Sequence, residues 1–237
     1  MHPSVTRPTA RTTGLLYLAL AVFGIPAFLI IRPMLFDPTD ATTTAANLVD
    51  QEALARLGVA LELALVAAQT LTALWFFRLF RRVDSFAAAM LAVFGTINAV
   101  AILTSAAALG AALDAALAGD PAGSQLMYLL SGNLWGVGAL FFGLWLIPMG
   151  LLARRAGMPR PMAAILLVGG LGYIADAFLS LLAPGADLLS QLIVVPATVG
   201  EFWMIGYLLW TGLRPVRTGA PVPTGKSSTR REVRAEP

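Results

Sequence analysis

The sequence has no cysteine and a single histidine, His2, near its start. No disulfide, thiolate metal site or cysteine nucleophile can therefore form. One histidine likewise excludes haem ligation by two histidines, histidine-rich zinc sites and a Ser-His mechanism. The missing thiols do not fix a redox compartment, because both sides of a membrane tolerate such a chain. Charge is scarce too. Charged residues make up 12% of the 237 positions and apolar ones 58%, against about 25% and roughly 45–50% in soluble globular domains. With a mean hydropathy of +0.78, this balance argues against a water-soluble single core, and the chain is too apolar to stay disordered. It reads as a polytopic membrane protein. The net charge of +3 and pI near 9.8 do not indicate nucleic acid, since the basic residues fall in short clusters between apolar runs.

Catalytic signatures are missing as well. No P-loop, zincin, hydrolase elbow or dinucleotide fingerprint occurs, and Gly169-Gly170-Leu171-Gly172 lacks the strand–turn–helix context of a nucleotide site. No catalytic residue, metal ligand set or cofactor is indicated.

A helix needs about 20 mostly apolar residues to cross a hydrocarbon core of roughly 30 Å. Six stretches qualify: Thr13–Ile31, Leu57–Phe77, Ser85–Leu109, Ser131–Ala153, Pro161–Leu182 and Leu188–Leu213. Runs of this length without strict alternation predict an all-α bundle of six transmembrane helices, not a β-barrel. An N-terminus inside assigns 14 of the 16 basic residues to the cytoplasm and leaves Arg32 and Arg56 outside. Six spans then make both termini cytoplasmic. Ala19-Leu20-Ala21 mimics a signal-peptide cleavage site but lies in mid-run, so an uncleaved first helix is expected.

Residues 1–12 are expected to form a cytoplasmic N-terminal segment, 13–213 the transmembrane domain, and 214–237 a disordered basic cytoplasmic tail acting as a topology anchor. In the outer piece Arg32–Arg56, Pro33 and Pro38 are placed to end the first helix, and Asp50 to cap the helix that leads into the second span. The hairpin at Arg81-Arg82, followed by Met90 and Leu91–Gly95, loosely echoes that at Arg154-Arg155, followed by Met162 and Ile165–Gly170. Such an echo is the pattern of a parallel repeat about an axis along the membrane normal.

Within the spans lie three acids, Glu62, Asp176 and Glu201. A carboxylate at the bilayer centre costs about 2.5–3.5 kcal/mol on insertion scales, which makes each a candidate functional group. Glu62 lies roughly 8 Å, and Asp176 roughly 9–10 Å, below the outer ends of their spans. Sharing a level, they are placed to meet, with Arg32 and Arg56 as the available counter-ions. Gln69 follows Glu62 two turns inward, Asn98 and Ser105 form a similar pair, and Gly169 and Gly172 on the Asp176 face allow a neighbouring backbone close. Gln69, Asn98 and Asn133 also read as interhelical hydrogen-bond partners. Glu201 sits near mid-membrane below Pro196, which removes a backbone hydrogen bond, and Thr198 shares its face. Buried acids can equally be structural, paired with arginine or protonated by desolvation.

Gly14-Leu15-Leu16-Tyr17-Leu18, Arg56-Leu57-Gly58, Gly143 with Gly150, and the stretch from Arg155 through Gly157, Pro159 and Arg160 to Gly170, Gly172, Tyr173 and Asp176, continuing at Gly200-Glu201, resemble a bacterial family catalogued as domain of unknown function 4386. The resemblance covers about residues 10–213. It implies a bacterial integral membrane protein, hence the cytoplasmic (inner) membrane, with no established activity. It also implies that Arg56, Tyr173, Asp176 and Glu201 belong to the pattern of the family. The sequence departs from that pattern at Trp145, where relatives often have a smaller or polar residue such as histidine, and at Ala163, where glycine is usual. Trp145 counts against a polar group in the fourth span.

Together these readings favour a polar pocket of Glu62, Asp176 and an outer arginine that binds or transports a small solute, ion or lipid, with Glu201 as a second, protonatable site. The alternatives are an accessory or assembly subunit whose acids pair with a membrane protein partner, and a membrane-embedded lipid-modifying enzyme.

Overall fold

A computed structural model describes residues 7–183 and 185–213. The start of the N-terminal segment and the basic tail 214–237 lie outside the described residues. The elements are α1 (Arg7–Ile25), a π-helical turn (Pro26–Ile31), α2 (Arg32–Leu35), α3 (Ala41–Asp50), α4 (Glu52–Phe80), α5 (Ser85–Leu117), α6 (Pro121–Arg155), α7 (Arg160–Leu182) and α8 (Asp187–Leu213). Among the described residues there is no strand. Six helices are long and apolar enough to cross a membrane, so the chain is an all-α polytopic membrane protein. The long helices form a ring in the order α1, α4, α5, α6, α7, α8 and back to α1, while α3 lies across α5 and α6. Its outer face carries large exposed apolar side chains such as Leu29, Val93, Leu171 and Phe178, the surface a bilayer covers.

Several element ends differ from those expected. The first helix does not stop at Pro33. Pro26 has no N–H to donate, and the ladder slips there so that the Arg32 N–H reaches the Ala27 carbonyl, a π-type bond. Pro33 then falls in the first turn of α2, where a proline costs least, and helical structure continues to Leu35. Arg32 is consequently carried inside a span. Asp50 caps nothing; it is the last residue of α3, whose N-cap is Asp40, accepting from the N–H groups of Thr42 and Thr43 at 2.8 and 3.2 Å. The fourth span starts at Pro121, capped by Asp120, so Ser131 lies well within it.

Two apolar cores fill the ring. The larger contains Tyr17, Phe76, Phe80, Trp145, Met149, Met162, Leu166 and Met204. The smaller lies under α3 and contains Leu35, Leu48, Leu109, Leu113 and Tyr128. Trp145 is 1% exposed and packs edge-on to Tyr17 and Phe76, with ring centroids 5.8 and 5.6 Å away. It has room because Gly95 faces it; a Cβ there would fall on the indole ring. The α6–α7–α8 seams are as tight. A Cβ at Gly143 would strike the Gly170 carbonyl, one at Gly169 the backbone of Ala197, and one at Gly172 the carbonyl of Ile193. Such close backbone approach is how membrane helices associate without a hydrophobic drive between them.

At the opposite end from α3, Asp84 caps α5 by accepting from the Ala87 N–H at 3.0 Å and pairs with Arg155. This ties the α4–α5 turn to the end of α6. The Ala87 N–H holds the Asp84 carboxyl below the usual carboxylate range, and the Arg155 guanidinium adds to the effect.

Two outcomes follow. Gly172→Ala is expected to lower stability by about 1–3 kcal/mol, the usual cost of overpacking, in thermal unfolding of the purified protein; an unchanged midpoint would refute so tight a crossing. A carboxylate whose folded pKa is depressed stabilises above its unfolded value near 4 and loses that contribution as pH falls through the folded value. Wild type should therefore be more stable than Asp84→Asn at neutral pH, with the gap closing below about pH 4.

Candidate functional site

The most completely bonded polar group in the interior is built around Arg32. Its backbone stands where the π-turn meets α2, and its side chain runs inward to 8% exposure. Nη2 donates to Glu62 Oε1 at 2.7 Å, to Ser105 Oγ at 2.9 Å and to Ser131 Oγ at 2.6 Å, and Nε donates to the same Glu62 oxygen at 3.2 Å. Ser105 Oγ donates to Glu62 Oε2 at 3.1 Å and lies 2.7 Å from Ser131 Oγ. The first span (Pro8–Leu35), α4, α5 and α6 thus meet at one centre. The guanidinium carbon lies 5.2 Å from the Phe28 ring and 5.9 Å from those of Tyr128 and Trp135, within cation–π range. Tyr128 also donates to the Arg32 carbonyl at 3.2 Å. Beside this centre a cavity of about 10 Å³, lined by Arg32, Glu62, Tyr128, Leu48 and Leu109 among others, has room for one water at most.

The remaining polar candidates divide. Arg56 does not reach Glu62; on the surface of α4 it pairs with Glu52 at 2.7 Å. Gln69 is buried two turns from Glu62, and its Nε2 donates to the Gly95 carbonyl at 3.4 Å, leaving Oε1 without a partner. Asn98, 1% exposed, has no hydrogen bond at either amide atom, and Asn133 is exposed. Asn98 faces a seam between α5 and α6 walled by Trp135, Gly138 and Phe142, too narrow for a water as packed. Trp135 Nε1 is buried and unpartnered as well.

Asp176 lies across the ring from Glu62, on a helix that packs on α6 and α8. It does not line the cavity beside Arg32, so Glu62, Asp176 and an outer arginine do not share one pocket. A second polar group is built on Glu201. Glu201 Oε1 accepts a 2.7 Å hydrogen bond from the Tyr17 hydroxyl, which also lies 3.9 Å from Met149 Sδ. Tyr173 stands on α7, which packs on α8. Glu201, Tyr173 and Asp176 are all partly exposed. The Asp176 carboxylate, the Tyr173 hydroxyl and Glu201 Oε2 make no hydrogen bond among the described residues, and none of them is a sealed-off atom. A row of rings runs from the Arg32 centre to α7: Phe28 to Trp135 at 4.7 Å, Trp135 to Phe142 at 6.1 Å, and Phe142 to Tyr173 at 5.6 Å.

Sequence reasoning missed Ser131, because a span started at that residue puts it at the surface, and Tyr17 as a partner of Glu201. No local signal marks either. The Asn98–Ser105 spacing does place Ser105 on a polar face, and the Glu62 contact extends it.

A family model described as Domain of unknown function (DUF4386) matches residues 12–212, and the chain belongs to that family. No curated protein and no solved structure matches it.

Breaking the buried pair from one side leaves a charge unpaired, at a cost of about 3–5 kcal/mol, whereas apolar replacement of both partners is often near neutral. Arg32→Met and Glu62→Met are expected to be strongly destabilising singly and much less than additive together. Additive losses in a double-mutant cycle would show that the pair is not coupled.

Proposed function

We propose that this member of the family is a multi-pass protein of the bacterial cytoplasmic membrane, with both termini inside, that binds a small solute or ion within the polar interior of its helix ring. The orientation rests on the 14 basic residues that fall on one side of the spans. The binding role rests on one observation: Glu201, on a helix that crosses the membrane, is partly exposed, and only one of its carboxylate oxygens takes a bond among the described residues. Glu201 is near the middle of α8, roughly 20 Å from either end at 1.5 Å per residue. Ionisable groups at such depth face a bundle interior or a water-filled cavity and mark solute or ion sites. The Arg32–Glu62–Ser105–Ser131 centre acts differently in this reading. Its Glu62 carboxylate and its Ser105 and Ser131 hydroxyls are bonded internally, so it closes the α3 end and holds the first span against α4, α5 and α6.

The test is thermal unfolding in nanodiscs with a panel of inorganic cations, anions, ammonium salts, amino acids and sugars. At least one class should raise the midpoint by several degrees, since a ligand at 100 times its Kd adds about 2.7 kcal/mol. Glu201→Gln, whose amide oxygen can still accept from Tyr17, should lose that shift. If no class shifts the wild-type protein, the binding role is wrong.

A further inference from the structure

We propose that the end of the ring opposite α3 holds an anionic phospholipid with two phosphates in one headgroup, gripped between the Arg81-Arg82 turn and the Arg154-Arg155 turn.

The two turns are closely built and tied to each other. After α4, the Val83 N–H bonds the Phe80 carbonyl at 2.8 Å, and Asp84 caps α5. After α6, the Met158 N–H reaches the Ala153 carbonyl at 3.0 Å and the Gly157 N–H the Arg154 carbonyl at 3.2 Å. Gly157 has a φ of 74°, the left-handed helix end that glycine permits. Val83, Ala156 and Met158 all pack into the larger core. The Asp84 carboxylate on the first turn accepts from Arg155 on the second. The two Arg-Arg hairpins that echo each other in sequence thus adjoin in space.

Charge is the second argument. Arg81, Arg82, Arg154 and Arg155 are exposed, as is Arg160 at the start of α7. Asp84 pairs with Arg155, whereas Arg81, Arg82, Arg154 and Arg160 make no ion pair among the described residues. Guanidinium groups gathered at one end repel one another, and phosphate relieves this by accepting two parallel N–H bonds from each fork. Two phosphates joined in one headgroup can meet both turns for a single loss of freedom, because the second contact is intramolecular.

The apolar surroundings select a lipid over free phosphate. Leu151 lies one turn before Arg155 on α6, and Leu74 one turn before Arg78 on α4; each pair shares a helix face, and all four side chains are exposed. Phe86, in the first turn of α5, is 75% exposed. Arg78 lies 5.9 Å from the Trp75 ring. Guanidinium groups therefore border exposed apolar side chains, a surface matched by phosphate joined to acyl chains. A phosphate ion in water has nothing to place against Phe86 or Leu151.

The full chain is purified in a mild detergent at fixed salt, and thermal unfolding is followed against tetraoleoyl cardiolipin, dioleoyl phosphatidylglycerol, dioleoyl phosphatidylcholine and sodium pyrophosphate at equal phosphate. Cardiolipin should raise the midpoint saturably, with half its effect at a phosphate concentration at least tenfold below that for phosphatidylglycerol. Phosphatidylcholine, whose phosphate is offset by choline, should leave it unchanged. Removing either pair, as Arg81→Gln with Arg82→Gln or as Arg154→Gln with Arg155→Gln, should erase the tenfold preference and leave a response like that to phosphatidylglycerol. Asp84→Ala adds a positive charge yet unties the turns, so there too the preference should fall. A preference that grows with that charge would mark a diffuse attraction and refute the site. Equal action of cardiolipin and phosphatidylglycerol per phosphate on the wild type, or a preference that survives in both double variants, would overturn it as well. Pyrophosphate as effective as cardiolipin would remove the lipid from the assignment.

Discussion

A guanidinium inside a helix bundle has to be met on several sides at once, and this structure is arranged around meeting Arg32. One carboxylate neutralises its charge but fills only part of its fan of donors. The hydroxyls of Ser105 and Ser131 take two further bonds, and three aromatic rings lie within cation–π range. Each hydrogen-bonding partner sits on a different helix from Arg32, so the same bonds that solvate the charge fix the first span, α4, α5 and α6 against one another. Lipid-facing apolar side chains cannot do this, because a helix surface of leucine has no preference for another helix over lipid. Directional bonds and close backbone approach are what remain. The first closes the ring under α3, and the glycine seams of α6, α7 and α8 close the other side.

The position of Arg32 depends on a local irregularity. Pro26 removes one N–H from the ladder, and the helix answers with a π-turn instead of an end. The turn changes the direction in which the next residues point. Arg32 follows it directly, and Tyr128 steadies the junction through the Arg32 carbonyl while stacking on Phe36 at 4.7 Å. Helical structure thus runs on through Pro33, a residue that reads as a stop in the sequence, and the irregularity at Pro26 is the device that sends a charge inward.

The same geometry accounts for where the sequence was informative and where it was not. Six spans were legible because 20-residue apolar runs have few other uses, and the cost of intramembrane charge singled out Glu62, Asp176 and Glu201 by residue type and position alone. Arg32 was legible as a counter-ion near the end of its span. Depth along a helix axis follows from counting residues, and it correctly brought Arg32 within reach of Glu62. Azimuth around the ring does not follow from counting. Glu62 and Asp176 share a level, yet α4 and α7 are not neighbours in the ring, and helix order was carried by interhelical contacts such as Gly172 on Ile193. Ser131 was hidden by a span boundary set ten residues late. Trp145 counted against a polar group in the fourth span, yet α6 supplies Ser131 to the Arg32 centre. The tryptophan itself fits because Gly95 opposite has no side chain.

Hydrogen-bond accounting separates the two polar groups more sharply than their acids do. Both contain a glutamate on a membrane helix, and by residue type alone they look alike. Around Glu62, both carboxylate oxygens accept bonds from side chains already in the ring, and the adjoining space holds a single water at most. A ligand reaching the Glu62 carboxylate would have to displace bonds already in place, while Arg32 Nη1 makes none among the described residues. Around Glu201, one oxygen is bonded to Tyr17 and the other takes no bond among the described residues. Deep polar atoms without partners are expensive in a bilayer, so they persist where something outside the chain completes them. A carboxylate bonded at both oxygens makes a joint, and one left half open is where a bound molecule has interactions to gain.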